Sequence, residues 1–396
     1  MNVREQPIIV VLGMMTTMPV GGVVWQTAHY LEGLRRLGFD VYYAEDHGMH
    51  PSMFTDRGDV NGSEKAAAFL AQTLDRFDFG SRWSYHAWHA DDQYYGLGKS
   101  AIEEAFQRAA AVINLHGGTA PRPEHQGGGA FIYVETDPVG PEIELHNGMA
   151  ATERFLDAHT AYFTFGENLG GPDCKVPLPP PRYEFHPTRQ PVITEWWREI
   201  APESGERFTT IANWRQPQRQ MTLEGEVYHW SKHHEFLKFL DLPERTAQEF
   251  ELALSSYEPG DREMLEARGW KVRRALDFSR DPDAYRQYIA GSRGEWTVAK
   301  DQNVRLRSGW FSDRAATYLA VGRPVVTQET GFSHVLPTGR GLFGFTTMEE
   351  TLAVIEEIDQ NYEAHSRCAA EIAREEFEAE KVLSKLLRKA GVSLPR

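Results

Sequence analysis

Ile8-Ile9-Val10-Val11-Leu12 is an unbroken apolar run, β-branched through its first four residues, and it constrains the fold more than any other feature of the chain. A strand that is apolar on both faces must be covered on both, as in a parallel sheet. A loop over 13–22 follows and ends in Gly21-Gly22. Apolar residues then recur at helical spacing (Val24, Ala28, Leu31, Leu34) up to Gly38, which suits a helix C-terminus. Asp40-Val-Tyr-Tyr-Ala44 is the next strand, so the chain opens with a βαβ unit.

The alternation continues. Helices are predicted over 63–77, 100–111 and 142–159, and strands over 111–115, 130–134 and 161–165. Such alternation predicts an open parallel sheet covered on both faces, with ligands beyond the carboxyl ends of its strands. Three loops at such ends are rich in chemistry: 13–22, His116-Gly-Gly-Thr119 and Glu135-Thr-Asp-Pro138. Pro177, Pro179, Pro180 and Pro181 interrupt the pattern, and 174–205 reads as a connection between domains. A second series follows. Its strands are predicted over 208–212, 250–254, 270–273, 295–299 and 324–327. Its helices are predicted over 233–240, 261–268, 283–289, 312–321, 347–358 and 362–390. The expected fold class is α/β, with two β/α domains (1–175 and 207–360), a linker over 176–206 and a terminal helical segment over 361–396. The cleft between the domains is the default ligand site.

A length of 396 residues suits two domains. With 57 acidic against 42 basic side chains, the net charge of −15 speaks against a dedicated nucleic-acid binder and against docking on an anionic membrane. The two cysteines, Cys174 and Cys368, form no Cys-x-x-Cys motif, and a reducing cytoplasm is the expected compartment. The first apolar run is too short to span a bilayer and lacks a cleavage site after it.

Several motifs have plain structural readings. Gly339-Arg-Gly-Leu-Phe-Gly344 matches G-x-G-x-x-G but lacks the strand before it and the helix after it. Asp281-Pro-Asp283 has the form of an Asp-x-Asp metal site, yet it also stands where a helix needs a cap. His86, His89, Asp91 and Asp92 are metal-ligand types without a further cluster to complete a shell. The richest stretch is 305–333. It places Ser312 and Arg314 at a helix start and ends in Thr330-Gly-Phe-Ser333. Free amide groups at a helix start and in a glycine loop suit a diphosphate, and an arginine can hold one by a bidentate pair.

Tyr318-Leu-Ala-Val-Gly-Arg-Pro-Val-Val326, Thr330-Gly331, Gly341-Leu-Phe-Gly344 and Thr347-Met-Glu-Glu-Thr-Leu352 together resemble the carboxy-terminal donor domain of glycosyltransferases with the GT-B fold. Ser312-Asp-Arg314 resembles the Ser-x-Arg of the spore-coat-type branch of group 1 transferases. The likeness is strong over 290–360 and architectural elsewhere. It implies two Rossmann-like domains facing a cleft, and a final helix crossing back to the first domain. The implied activity is sugar transfer from a nucleotide-diphosphate sugar to an acceptor hydroxyl. No metal or cofactor is expected; the acceptor is open, and no nucleic acid or transmembrane segment is implied.

On this reading the donor lies against Gly21, Gly22, Asn213, Arg215, Lys300, Ser312, Arg314, Glu329, Thr330, Gly331 and Ser333. The acceptor base comes from His116, Asp137 or, third, Glu135. Retaining group 1 enzymes carry two glutamates eight positions apart; Gly309 and Thr317 stand at those places here. An epimerase on the same architecture and a non-catalytic sugar- or nucleotide-binding protein remain open alternatives.

Overall fold

The computed structural model describes residues 6–55, 62–90, 92–200 and 205–395. The first sheet contains β1 (Ile8–Leu12), β2 (Asp40–Glu45), β3 (Trp83–His86), β4 (Tyr94–Gly96), β5 (Ala109–Leu115), β6 (Ala130–Glu135), β7 (Ala161–Thr164) and β8 (Phe185–Pro187). Their order is β4-β3-β2-β1-β5-β6-β7-β8, parallel except for β4 against β3. The second lobe holds β9 (Arg207–Asn213), a hairpin of β10 (Met221–Leu223) and β11 (Glu226–Tyr228), β12 (Glu249–Ser255), β13 (Lys271–Arg274), β14 (Gly294–Thr297), β15 (Val325–Gln328) and β16 (Leu342–Phe345). Its parallel sheet runs β13-β12-β9-β14-β15-β16.

Both sheets follow the doubly wound order of a Rossmann fold, and the first adds β4 and β8 at its edges. The order reverses between β1 and β5 in one lobe and between β9 and β14 in the other. At such a point neighbouring crossovers leave on opposite faces, and a crevice opens beyond the strand ends.

Apolar residues on both faces of β1 are fully enclosed, as the uninterrupted run demands. The helix Gly21–Arg36 covers one face and also packs against helices of the second lobe, with Trp25 Nε1 donating to the Pro282 carbonyl at 2.8 Å. One continuous apolar core therefore joins the lobes.

Three expectations are corrected. The connection over 176–206 is not bare linker, because Phe185–Pro187 pairs with β7 and Thr194–Arg198 is helical. The predicted helix over 142–159 is two helices, Gly140–His146 and Ala150–Asp157, broken at Asn147-Gly148, where Gly148 takes φ +71°. The final helix is also interrupted. After Tyr362–Ile372 a wide π turn spans Ala373–Phe377, and Ala379–Lys389 then packs on Gly21–Arg36. The interruption is fixed by Val192, whose N–H donates to the Phe377 carbonyl at 2.7 Å and whose carbonyl accepts from Ala379 N at 2.9 Å.

Candidate functional site

The two switch points face one another. At the first, the chain turns sharply as β5 ends, and His116 adopts φ +66°. Its Nδ1 lies 2.9 Å from Thr136 Oγ1, and its Nε2 is enclosed with no hydrogen-bond partner. Burial pushes its pKa down to about 4, so the ring is neutral at pH 7.

Glu135 and Asp137 leave β6 with different surroundings. Glu135 is 1% exposed, accepts from Thr164 Oγ1 at 2.5 Å and lies beside Glu142. Burial and then the Glu142 charge raise its pKa well above the usual range, because two enclosed carboxylates cannot both stay ionised. Asp137 instead faces the second lobe and forms an ion pair with Lys300. Its Oδ1 is enclosed and unpartnered. Burial raises the Asp137 pKa, and Lys300 opposes the rise.

Lys300 stands just past β14, at the second switch point. Its Nζ lies 3.3 Å from the centroid of the Trp230 ring, and the Arg219 guanidinium lies 5.1 Å from the same ring. Both cations thus sit against one indole, whose π face attracts positive charge. Lys232, after the β10–β11 hairpin, is 8% exposed and donates to the Val298 carbonyl at 2.8 Å. Arg314, in the first turn of the helix Asp313–Val321, places Nε 2.6 Å from Glu295 Oε1 and leaves Nη2 enclosed without a partner. Lys232, Lys300, Arg314, Asp137, Glu295 and Asp313 interact electrostatically as one buried group.

The remaining predicted residues spread around this group. Ser312 is buried at the helix N-cap, with its side chain making no capping bond. Glu329 accepts from Gly331 N at 2.5 Å, Thr330 Oγ1 donates to the Trp310 carbonyl at 2.7 Å, and Ser333 lies in the short turn Phe332–His334. Gly21 and Gly22 open the helix Gly21–Arg36 and lie against Tyr285 of the second lobe; a Cβ on Gly21 would come within 2.5 Å of Tyr285 Cβ. Asn213 is held by Ser255, and Arg215 pairs with Asp261 at 2.5 Å. The geometry therefore gathers Lys300, Arg314 and Asp137, while Asn213 and Arg215 are already engaged with other side chains.

Sequence reasoning missed Lys232, Arg219, Trp230 and Trp310. A signal was present, since Arg215, Arg219, His229, Lys232, His233 and His234 all fall within the twenty residues 215–234, just after β9. The intervening hairpin hid it, because it brings distant members of that stretch back over one strand end. The three imidazoles cluster at tilted angles, with His229–His234 centroids 4.0 Å apart and His233–His234 centroids 3.9 Å apart. The capping reading of Asp281 holds, whereas His86 is not a solvated loop residue: it ends β3 and is buried. Asp281 caps its helix by accepting from Asp283 N and Ala284 N at 2.7 and 2.9 Å. His86 lies 2.9 Å from Asp46 Oδ1 and 2.9 Å from Asp92 Oδ1, whereas Asp91 lies outside the described residues. Among the described residues no group of three or more His, Cys, Asp and Glu side chains could hold a metal ion. Nor is any helix there long and apolar enough to cross a membrane.

No family model matches the chain, and no curated protein matches it in sequence. Solved structures match it nearly end to end. An alpha-glucosyltransferase in complex with UDP-glucose and DNA containing an abasic site superposes with a TM-score of 0.58 at 10% identity, covering 98% of this chain and 100% of that one. Anabaena HepE in complex with UDP-glucose gives 0.56 at 10% identity, covering 97% and 99%. A glycosyltransferase from Rickettsia africae gives 0.52 at 10% identity, covering 98% of each chain. The chain thus has the GT-B architecture: two Rossmann-like domains whose switch points open on a common cleft.

Proposed function

We propose that this chain is a glycosyltransferase that moves a sugar from a nucleotide-diphosphate sugar, with UDP-glucose the first donor to test, to an acceptor hydroxyl. The observation that carries the reading is the buried basic group Lys232, Lys300 and Arg314 at one switch point, joined through the Lys300–Asp137 pair to the strand ends of the other, where His116 also stands. UDP and UDP-glucose are the ligands named for the structural neighbours. Ser312-Asp-Arg314 supports the spore-coat-type branch as the finer placement.

The reaction breaks the bond between the anomeric carbon and the β-phosphate oxygen. It forms a bond from that carbon to the acceptor oxygen and releases the acceptor proton. Charge develops on the departing diphosphate, and fixed donors aimed at it lower the barrier. Whereas the Thr330 hydroxyl and the Gly331 N–H are already bonded to Trp310 and Glu329, Lys232 and Lys300 supply ammonium groups and the enclosed Arg314 Nη2 a guanidinium N–H. These side chains fill the role for which other transferases use a cation. His116, neutral and with a free ring nitrogen, is the first candidate to take the acceptor proton. Asp137 is the second. Glu135 is buried against Glu142 and keeps the strand end in place. With a net charge of −15, a DNA acceptor is disfavoured.

Thermal-shift measurements with UDP, GDP and dTDP, followed by hydrolysis of the matching nucleotide sugar in EDTA, test the reading. Stabilisation with slow hydrolysis is expected. No stabilisation by any of the three rejects donor binding. Binding without hydrolysis or sugar interconversion favours a sugar-nucleotide-binding protein, a reading that the Gly309 and Thr317 positions support.

A further inference from the structure

Lys232 is the odd basic residue of the cleft. Lys300 has Asp137 as its carboxylate partner and Arg314 has Glu295. Lys232 has no carboxylate within 4.0 Å among the described residues. It is enclosed, and its single acceptor is the Val298 carbonyl at 2.8 Å. An ammonium has three donors, so two have no hydrogen-bond partner among the described residues. The Trp310 ring, its centroid 5.7 Å away, offers a cation–π contact that returns only part of the cost of desolvating an ammonium.

The charged groups facing Lys232 come from three elements. Arg314 and Lys300 repel a proton there; Glu295 and Asp313 attract one. Glu295 is already shared with Arg314, and Asp137 with Lys300. Asp313 is itself pushed toward its neutral form by burial. Burial comes first among the influences on Lys232, and it disfavours the charged form.

We propose that Lys232 stands as a neutral amine in the empty cleft, and that a nucleotide diphosphate binds together with one proton taken up at its Nζ. This rests on the reading of the cleft as the donor's diphosphate seat. The step is R–NH2 plus a solvent proton giving R–NH3+, with no bond of the nucleotide changing. The diphosphate supplies the missing counter-charge and acceptors for the unused N–H groups. Product release returns the proton. Over the pH range between the amine's pKa in the empty site and in the complex, the dissociation constant rises tenfold per pH unit.

Calorimetry of UDP binding to the full chain at pH 8, in HEPES, tricine and Tris, reads the proton directly, because the observed enthalpy varies with buffer ionisation enthalpy in proportion to protons taken up. Close to one proton is expected for the wild type and close to none for Lys232→Arg, whose guanidinium is charged throughout. Uptake at His229, His233 or His234 would persist in that variant. A wild-type value of zero, or the same value in both proteins, overturns the inference and leaves donor binding intact. Should the arginine not fit, the wild-type Kd from pH 7 to 9.5 decides: a steep weakening supports the proposal, and a flat profile ends it. Failure of UDP, GDP and dTDP all to bind rejects the donor reading and this inference with it.

Discussion

Lys300 of the second lobe and Asp137 of the first form an ion pair across the cleft, with the ammonium resting 3.3 Å from the Trp230 ring centroid. On the proposed function, the Asp137 carboxylate competes with the donor's phosphates for Lys300. Asp137→Asn should lower turnover by about 10²-fold or more if the carboxylate takes the acceptor proton. UDP should bind this variant at least as tightly as the wild type, since a competing anion is gone. Lys300→Met should weaken UDP binding by about tenfold or more. Calorimetry and steady-state kinetics separate these outcomes; weaker UDP binding by Asp137→Asn would remove the competition argument.

Arg314 and Glu295 form a second buried pair, 2.6 Å apart. Removing one partner leaves the other as an uncompensated buried charge. Arg314→Ala should therefore destabilise the fold by about 3 kcal/mol in urea unfolding. The double variant with Glu295→Ala should recover part of that loss. If Arg314 also reads phosphate, the single variant loses UDP affinity much more than uridine affinity; equal losses would assign it a structural role alone.

His116 has a folded pKa near 4 against an unfolded value near 6.5. The unfolded chain then binds more protons through this window, so the His116 contribution is complete above about pH 6.5 and is lost as pH falls toward 4. Between pH 7 and pH 5 the wild type should lose about 2 kcal/mol more stability than His116→Asn, a residue that tolerates positive φ. Parallel urea titrations at the two pH values check this. The same variant should keep its UDP affinity within a few-fold while turnover falls.

Gly309 has φ +81° and sits where a Cβ would come within 2.3 Å of Asn168 N. The Asn168 N–H donates to the Ser308 carbonyl at 3.1 Å and its Nδ2 to the Arg307 carbonyl at 2.8 Å, joining the lobes beside the cleft. Gly309→Ala should cost about 2 kcal/mol or more through strain and lost docking. Faster proteolysis between the lobes and reduced turnover should accompany it; an unchanged melting temperature would show that the docking loop gives way without loss.

The periodicity of β-branched runs, glycine turns and apolar helix faces was enough to determine two Rossmann-like lobes, because a parallel strand has to be apolar on both faces and its helices on one. The position of His116, Asp137 and Lys300 was legible for the same reason, since each lies within three residues of the end of such a strand. What local pattern could not carry was pairing between distant segments. β8 joins its sheet through three residues with no alternation of their own, and the last helix is broken by a hydrogen bond to Val192, nearly two hundred positions away. Whether a cation has a carboxylate beside it is decided in the same way. Arg314 and Lys232 look alike as basic residues at helix starts, yet tertiary packing gives Glu295 to one and leaves the other with a backbone carbonyl, because only the folded chain sets which charges share a desolvated space.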